Sequence, residues 1–442
     1  MIWVNALAIA VHLLFGVWIL RRFKEYTVLF GYLFFLQTWS LLSCFYNDFG
    51  IFNFELFRYT ETTLATTRLA LFLVVFNFGF AVVAKVVAKR PLVRRDYLAK
   101  GGDLRLGNFK LTAYLAALLS MLYIVYSFVT GGVPLLEGID KVLFFKSAGP
   151  VERFLLGYGF LIAFILGYYR RLRGRFSVNG LLLAAMLVYL LLTGNKFSAL
   201  IKLIVAYYSA VHIQVLLNNP KFTIFSRRYA LWGVVGIVFV LSVAFGSYLY
   251  WGEDAAGATQ LLTNRVLALQ GHLWWVSDYR IFALDAFDGR HWLAEWQGIV
   301  HFGAVAEGSV GMKYVMLQAI GPDKAYAIFD IGYLYTMAYP AILILTVPWP
   351  FALLIQLCAG ALFGLLLYYF YYCLLYRHVW RAIIAVLIIV PYLGVLSTGD
   401  LYNFISPGIA CKMLILLALE IGTPLKADCG ASVADIQSEV QS

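Results

Sequence analysis

The sequence predicts an all-α, polytopic membrane bundle of about eleven transmembrane helices, GT-C-like, with one long loop on the outer side. Three observations carry this expectation. The 442 residues are 62% hydrophobic and 13% charged, with a mean hydropathy of +0.82, about half the charge of a typical soluble domain. The apolar residues gather in runs close to the roughly 20 residues that a helix needs to cross the hydrocarbon core. Those runs lack the period-2 alternation of a barrel, so helices remain as the way to satisfy the backbone in lipid.

The runs lie near residues 2–20, 27–45, 68–86, 111–129, 154–169, 179–194, 197–217, 230–250, 350–374, 382–397 and 407–423. Arg21 and Arg22 follow the first run in place of a small-residue cleavage site, so it is expected to remain as a helix. Most of the 34 Lys and Arg residues fall in alternate connections, at 21–24, 85–110, 170–175, 221–228, 377–381 and 426. The positive-inside rule makes those connections cytoplasmic. The amino terminus and the long loop then face outward and the carboxyl terminus inward, as an odd span count requires. The segment 330–350, DIGYLYTMAYPAILILTVPWP, is too short to cross before Pro348 and Pro350 and is expected to be re-entrant or interfacial. The organisation is thus residues 1–251 with eight spans, 252–340 as the outer loop with short interfacial helices, 341–425 with three spans, and 426–442 as a flexible cytoplasmic tail.

Several function classes drop out. The five cysteines lie mostly inside apolar runs without CxxC spacing, which excludes a disulfide framework or a zinc site. No Walker loop, GxSxG, HExxH or DxD element stands in a convincing context, so neither a metal nor a cofactor is expected. The net charge of +11 is explained by the inward connections, and no nucleic-acid partner is implied.

The chemistry is expected in the one long segment that is not lipid-soluble, 252 to about 336. On a helix beginning RVLALQGHLWWVSDYR, Arg265 and His272 fall about 20° apart, Tyr279 about 40° and Arg280 about 60° away, with Asp278 opposite. Guanidinium groups suit a diphosphate because their planar fork donates paired charge-assisted hydrogen bonds. An interfacial helix with Arg on lipid head groups and Trp274 and Trp275 in the aromatic belt fits the same pattern. Lys196 occupies a tight outward turn, where it either snorkels or faces the loop's site. Lys202, inside a span, is expected to point inward and be paired. Arg290 precedes and His291 opens HWLAEW, whose Trp292, Trp296 and Glu295 suit a sugar ring and equally an interface belt. His272, Asp278, His291, Glu295, Glu307 and Asp330 are the candidates for a general base.

The layout resembles the O-antigen and oligosaccharide repeat-unit polymerases of bacteria, the Wzy group. The residues that carry the resemblance are Arg265 with Gln270 and Gly271, the stretch TGNKFSALI around Lys196, and GYLYTMAYPAILI before a late span. The resemblance implies a metal-independent glycosyltransferase of the bacterial inner membrane, using undecaprenyl-pyrophosphate-linked oligosaccharide as donor and acceptor on the periplasmic side. It implies that Arg265, Arg280, Lys196 and Arg290 bind the pyrophosphate and that one acid or histidine of the loop takes the hydroxyl proton. Membrane lipids, a chain-length regulator and other envelope glycan assembly proteins would be its partners. An O-antigen ligase shares the layout, and a lipid-linked glycan flippase is the alternative from another class. Against a flippase stand the absence of repeated halves and the concentration of polar residues in one loop.

Overall fold

A computed structural model describes residues 1–88, 107–137, 144, 149–169, 178–193, 198–218, 227–250, 252–301, 305–306, 308–331, 335, 339–375, 378–399, 404 and 406–422. The apolar runs form α1 (Ile2–Arg22), α2 (Thr27–Asn47), α3 (Ala65–Ala88), α4 (Gly107–Gly131), α5 (Pro150–Tyr168), α6 (Val178–Leu192), α7 (Ser198–Asn218) and α8 (Arg227–Tyr250). Short helices follow: α9 (Ala255–Thr263), α10 (His272–Phe282), α11 (His291–Val300), α12 (Gly311–Ile320), α13 (Pro322–Ile331) and α14 (Ala341–Thr346). The chain closes with α15 (Trp349–Leu375), α16 (Val379–Thr398) and α17 (Pro407–Gly422). Among the described residues, eight helices are long and apolar enough to cross a membrane, namely α1, α2, α3, α4, α7, α8, α15 and α16. The chain is a multi-pass membrane bundle. The runs at 154–169, 179–194 and 407–423 also fold as helices, but shorter ones.

The spanning helices bury narrow stripes and leave the rest to lipid. On α1 the buried residues are Asn5, Ile9, His12, Gly16, Ile19 and Leu20, while Trp3, Leu7, Leu14 and Trp18 are exposed. Without a hydrophobic drive between helices in lipid, close packing of small residues holds them together. The tightest pair is α3 with α15. A Cβ built on Gly360 would stand 1.9 Å from the Phe76 carbonyl oxygen, and one on Gly79 2.2 Å from that of Leu357. Lys202 lines a small cavity with Tyr32 of α2, Ser209 of α7 and Val390 of α16, so it does turn inward as expected, but no ion pair holds it among the described residues.

At the end of the bundle where α2 meets α3, the connection folds as a minimal hairpin, with Phe52 opposite Tyr59 and Asn53 opposite Arg58. The Asn53 Oδ1 accepts from the backbone N–H groups of Glu55 and Leu56, both at 3.1 Å, and its amide donates to Asn47 Oδ1 at 2.9 Å. This Asx turn fixes the hairpin to the end of α2. Phe57 at its tip has φ 53°, a left-handed conformation that costs a bulky residue energy, and the Lys324 ammonium sits 3.9 Å from its ring centroid.

The segment before α15 is partly as expected. Residues 341–346 form α14, too short to cross, with Ala341, Ile342, Ile344, Leu345 and Thr346 buried. Its neighbours are α10, α11, α12 and α15, so its apolar surface is covered by protein.

Candidate functional site

The site is built around α10. A single helix from Arg265 to Arg280 was the expectation; the structure breaks it. Asn264–Ala268 form a π turn, closed by Leu269 N–H on the Asn264 carbonyl at 3.2 Å, and α10 starts afresh at His272. Such π turns leave carbonyls needing partners, and α2 supplies them from one polar stripe. Trp39 Nε1 donates to Val266 O at 2.7 Å, Ser40 Oγ to Gln270 O at 2.9 Å and Asn47 Nδ2 to Ala268 O at 2.9 Å. Gly271 N–H donates to Ser43 Oγ at 2.8 Å. A Cβ on Gly271 would lie 2.3 Å from the Cys44 amide nitrogen, so only glycine admits this approach of the two backbones.

The side chains of α10 are buried within the protein, with His272, Leu273, Trp274, Trp275, Val276, Ser277 and Asp278 all inside. Trp274 and Trp275 are not belt anchors: their indole N–H groups donate to the Ala65 carbonyl at 2.8 Å and to Asp48 Oδ1 at 3.2 Å. Asp48 also accepts from Asn5, Thr66 and the backbone and hydroxyl of Thr63. Burial pushes its carboxyl above the usual range, and the Thr63 and Thr66 donors oppose the shift.

The two sides of α10 separate as the helical spacing predicts. Asp278 faces α3, where Arg68 grips it bidentately, Nε to Oδ1 and Nη2 to Oδ2, both at 2.6 Å. Its carboxylate is fully buried, and burial raises its pKa while Arg68 works against that rise. Asp278 is therefore a structural anchor, and the role of general base does not fit it.

The other side carries His272, Trp275 and Tyr279, and the α2–α3 hairpin lies over it. Glu55 Oε2 is 3.4 Å from His272 Nε2, and the Arg58 guanidinium carbon is 5.3 Å from the ring centroids of both Trp275 and Tyr279. His272 Nδ1 contacts the Leu269 carbonyl, which assigns the ring proton to Nδ1 and leaves Nε2 as a lone pair towards Glu55. Burial takes His272 down to about 4 and Glu55 up to about 7, the latter opposed by Arg265. Tyr335 stands edge-on to the imidazole and donates from its hydroxyl to the Glu55 carbonyl oxygen at 2.9 Å.

Arg58 is the more unusual member. Its Nε and Nη2 are buried and have no hydrogen-bond partner among the described residues, although buried polar groups are nearly always satisfied. Burial lowers its pKa, and the field of Arg280 lowers it further. Arg280 itself donates Nη1 to the Gln318 carbonyl at 3.0 Å. Arg265, on the π turn, is exposed and lies against the Tyr248 ring at 5.7 Å. Arg58 and Arg280 thus accompany the Glu55–His272 pair along α10, and Arg265 on the preceding π turn acts on the charge of Glu55. From His272 to Arg280 the helix rises about 12 Å, at 1.5 Å per residue.

The remaining candidates sit elsewhere. Lys196 and Glu307 lie outside the described residues. Arg290 is exposed; its backbone N–H donates to Asp288 Oδ1 at 2.9 Å, and no described contact brings its side chain to α10. His291 and Glu295 form a clasp. Glu295 Oε1 is 3.1 Å from His291 Nε2 and accepts from the Gly311 N–H at 2.7 Å, and the His291 ring stacks on Tyr314 at 3.4 Å. Glu295 thereby caps α12, and neither residue is placed to act as a base. Trp292 and Trp296 are on the outer face of α11, 48% and 60% exposed. Among the described residues, no group of His, Cys, Asp and Glu is arranged to hold a metal ion.

Glu55 and Arg58 were missed because the connection 48–64 is short and reads as a simple turn. The available signal was its pattern, charges at Glu55, Arg58 and Glu61 interleaved with aromatics after the turn-former Asn53.

Residues 305–416, from just before α12 into α17, match a family of unknown function, DUF6418. The match omits the hairpin, the π turn and α10. No curated protein and no solved structure matches the chain.

Proposed function

We propose that this chain is a polymerase of undecaprenyl-pyrophosphate-linked oligosaccharide repeat units in the bacterial inner membrane. It transfers the nascent glycan from its lipid pyrophosphate to the end of an incoming lipid-linked unit, on the periplasmic side. The observation that carries the reading is the Glu55–His272 pair, accompanied by Arg58 and Arg280 along α10 and by Arg265 on the preceding π turn. A diphosphate leaving group gathers negative charge as its bond to the sugar breaks, and preorganised guanidinium donors stabilise that charge. A carboxyl held near neutral pH is suited to take the proton of the attacking hydroxyl. Arg265 is exposed and Arg280 and Glu55 are half-buried, so the head group of a lipid-linked substrate has access to them.

A lipid-linked glycan flippase is the second reading, because Lys202 lines a cavity between α2, α7 and α16, and charges inside spans often mark transport paths. Reconstitution separates the two. Wild type supplied with its host's lipid-linked unit should form a ladder of longer glycans, and Arg280→Ala and Arg58→Ala should each abolish it. A protein that moves the unit across the bilayer without a ladder is a flippase, and the arginines are then head-group contacts.

A further inference from the structure

We propose that Glu55, from the hairpin between α2 and α3, is the catalytic base, with His272 as its buried positioning partner. This assignment rests on the glycosyl-transfer reading above. It follows from the contact with His272 and from access. Asp278 is committed to Arg68 and Glu295 to the N-terminus of α12. His272 cannot touch a substrate, since only 1% of its side chain is exposed, whereas 31% of the Glu55 side chain is. The hairpin register and the Asn53 turn aim Glu55 at the imidazole from outside, and Arg265 lies close enough to act on its charge.

The step balances within these groups. The acceptor hydroxyl oxygen forms a bond to the anomeric carbon of the donor sugar, and the bond from that carbon to the pyrophosphate oxygen breaks. The electron pair leaves with the diphosphate, which the arginines neutralise. The hydroxyl proton goes to Glu55, and from there to water. His272 acts at the protonated stage: its Nε2 lone pair, 3.4 Å from Oε2 and in need of a small rotation to align, accepts a hydrogen bond from the carboxylic acid. This raises the proton affinity of Glu55 when the reaction needs it. The titratable and charged groups that face Glu55 are His272 from α10, Arg265 from the π turn and Tyr335.

The test is the pH dependence of polymer formation in proteoliposomes, with the lipid-linked repeat unit as substrate. In wild type the rate should rise with pH through an apparent pKa of about 7. Glu55→Gln should lose at least about 100-fold in rate and lose that rise. Glu55→Asp should keep the rise at a reduced rate, and it serves as the second variant where Gln impairs folding. His272→Phe, which keeps an aromatic ring packed against Glu55 and removes the Nε2 acceptor, should move the rise to lower pH. Active wild type alongside Glu55→Gln of similar rate and unchanged profile overturns the assignment of Glu55 and leaves the glycosyl-transfer reading standing. Wild type without polymer at any pH overturns that reading and this assignment with it.

Discussion

The pair Arg68–Asp278 joins α3 to the buried side of α10, and cutting it from either end should have unequal effects. Arg68→Ala leaves a fully buried carboxylate without its counter-charge, which costs about 3–5 kcal/mol. Asp278→Asn leaves Arg68, whose side chain is 23% exposed and lies 4.2 Å from the Phe282 ring centroid. That guanidinium can reach water and keeps one oxygen acceptor, so the loss should be about 1–3 kcal/mol. Replacing both, as Arg68→Met with Asp278→Leu, should recover stability relative to Arg68→Ala, because no buried charge remains. The pH dependence has a defined sign. The folded pKa of Asp278 is already raised by burial, and Arg68→Ala raises it further, so the penalty is small at low pH and grows as pH rises through the folded pKa. Thermal unfolding in detergent at several pH values reads all of this. Arg68→Ala as stable as wild type at neutral pH, or with a larger deficit relative to wild type in acid than at neutral pH, refutes the reasoning.

The other predictions concern packing and linkage. Gly360→Ala should lower the thermal midpoint by forcing α3 from α15, whereas Gly394→Ala, with nothing within 4 Å of the new Cβ, should be neutral or slightly stabilising. Gly271→Ala should cost about 1–3 kcal/mol by overpacking, at the upper end because the obstacles are backbone atoms of Ser40 and Cys44; folded yield and midpoint report it. Glu55 and His272 should pull stability in opposite directions on acidification. Glu55, raised to about 7, favours the folded state as pH falls towards its unfolded value, while His272, lowered to about 4, disfavours it over the same interval. Glu55→Gln removes the favourable part, so that variant should lose more stability than wild type between pH 7 and 5, measured as the shift in midpoint.

The bundle was legible in the sequence because apolar runs specify helices in lipid with little help from tertiary context. The division of α10 was legible too, with His272 and Tyr279 on one side and Asp278 on the other, since it depends only on helical spacing. Depth was not legible. An indole with its N–H in the head-group layer and an indole buried with a partner look alike in sequence, and the partners of Trp274 and Trp275, the Ala65 carbonyl and Asp48, lie more than 200 residues away in the chain. The same distance hid the role of Gly271, which follows from contact with α2, and the commitment of Asp278 to Arg68. The long loop drew attention by its length, yet the acid that faces His272 and the arginine with unsatisfied donors come from a short connection near the amino terminus. His291 and Glu295 were legible as neighbours one turn apart; that their partner is the start of α12 was not.

The most direct measurement of the central claim is release of the lipid carrier. In proteoliposomes holding the lipid-linked repeat unit, the glycosyl-transfer account predicts one undecaprenyl pyrophosphate freed for each new linkage, and none from Arg280→Ala. Glycan that reaches the far side of the bilayer still attached to its lipid, with no free carrier formed, contradicts it.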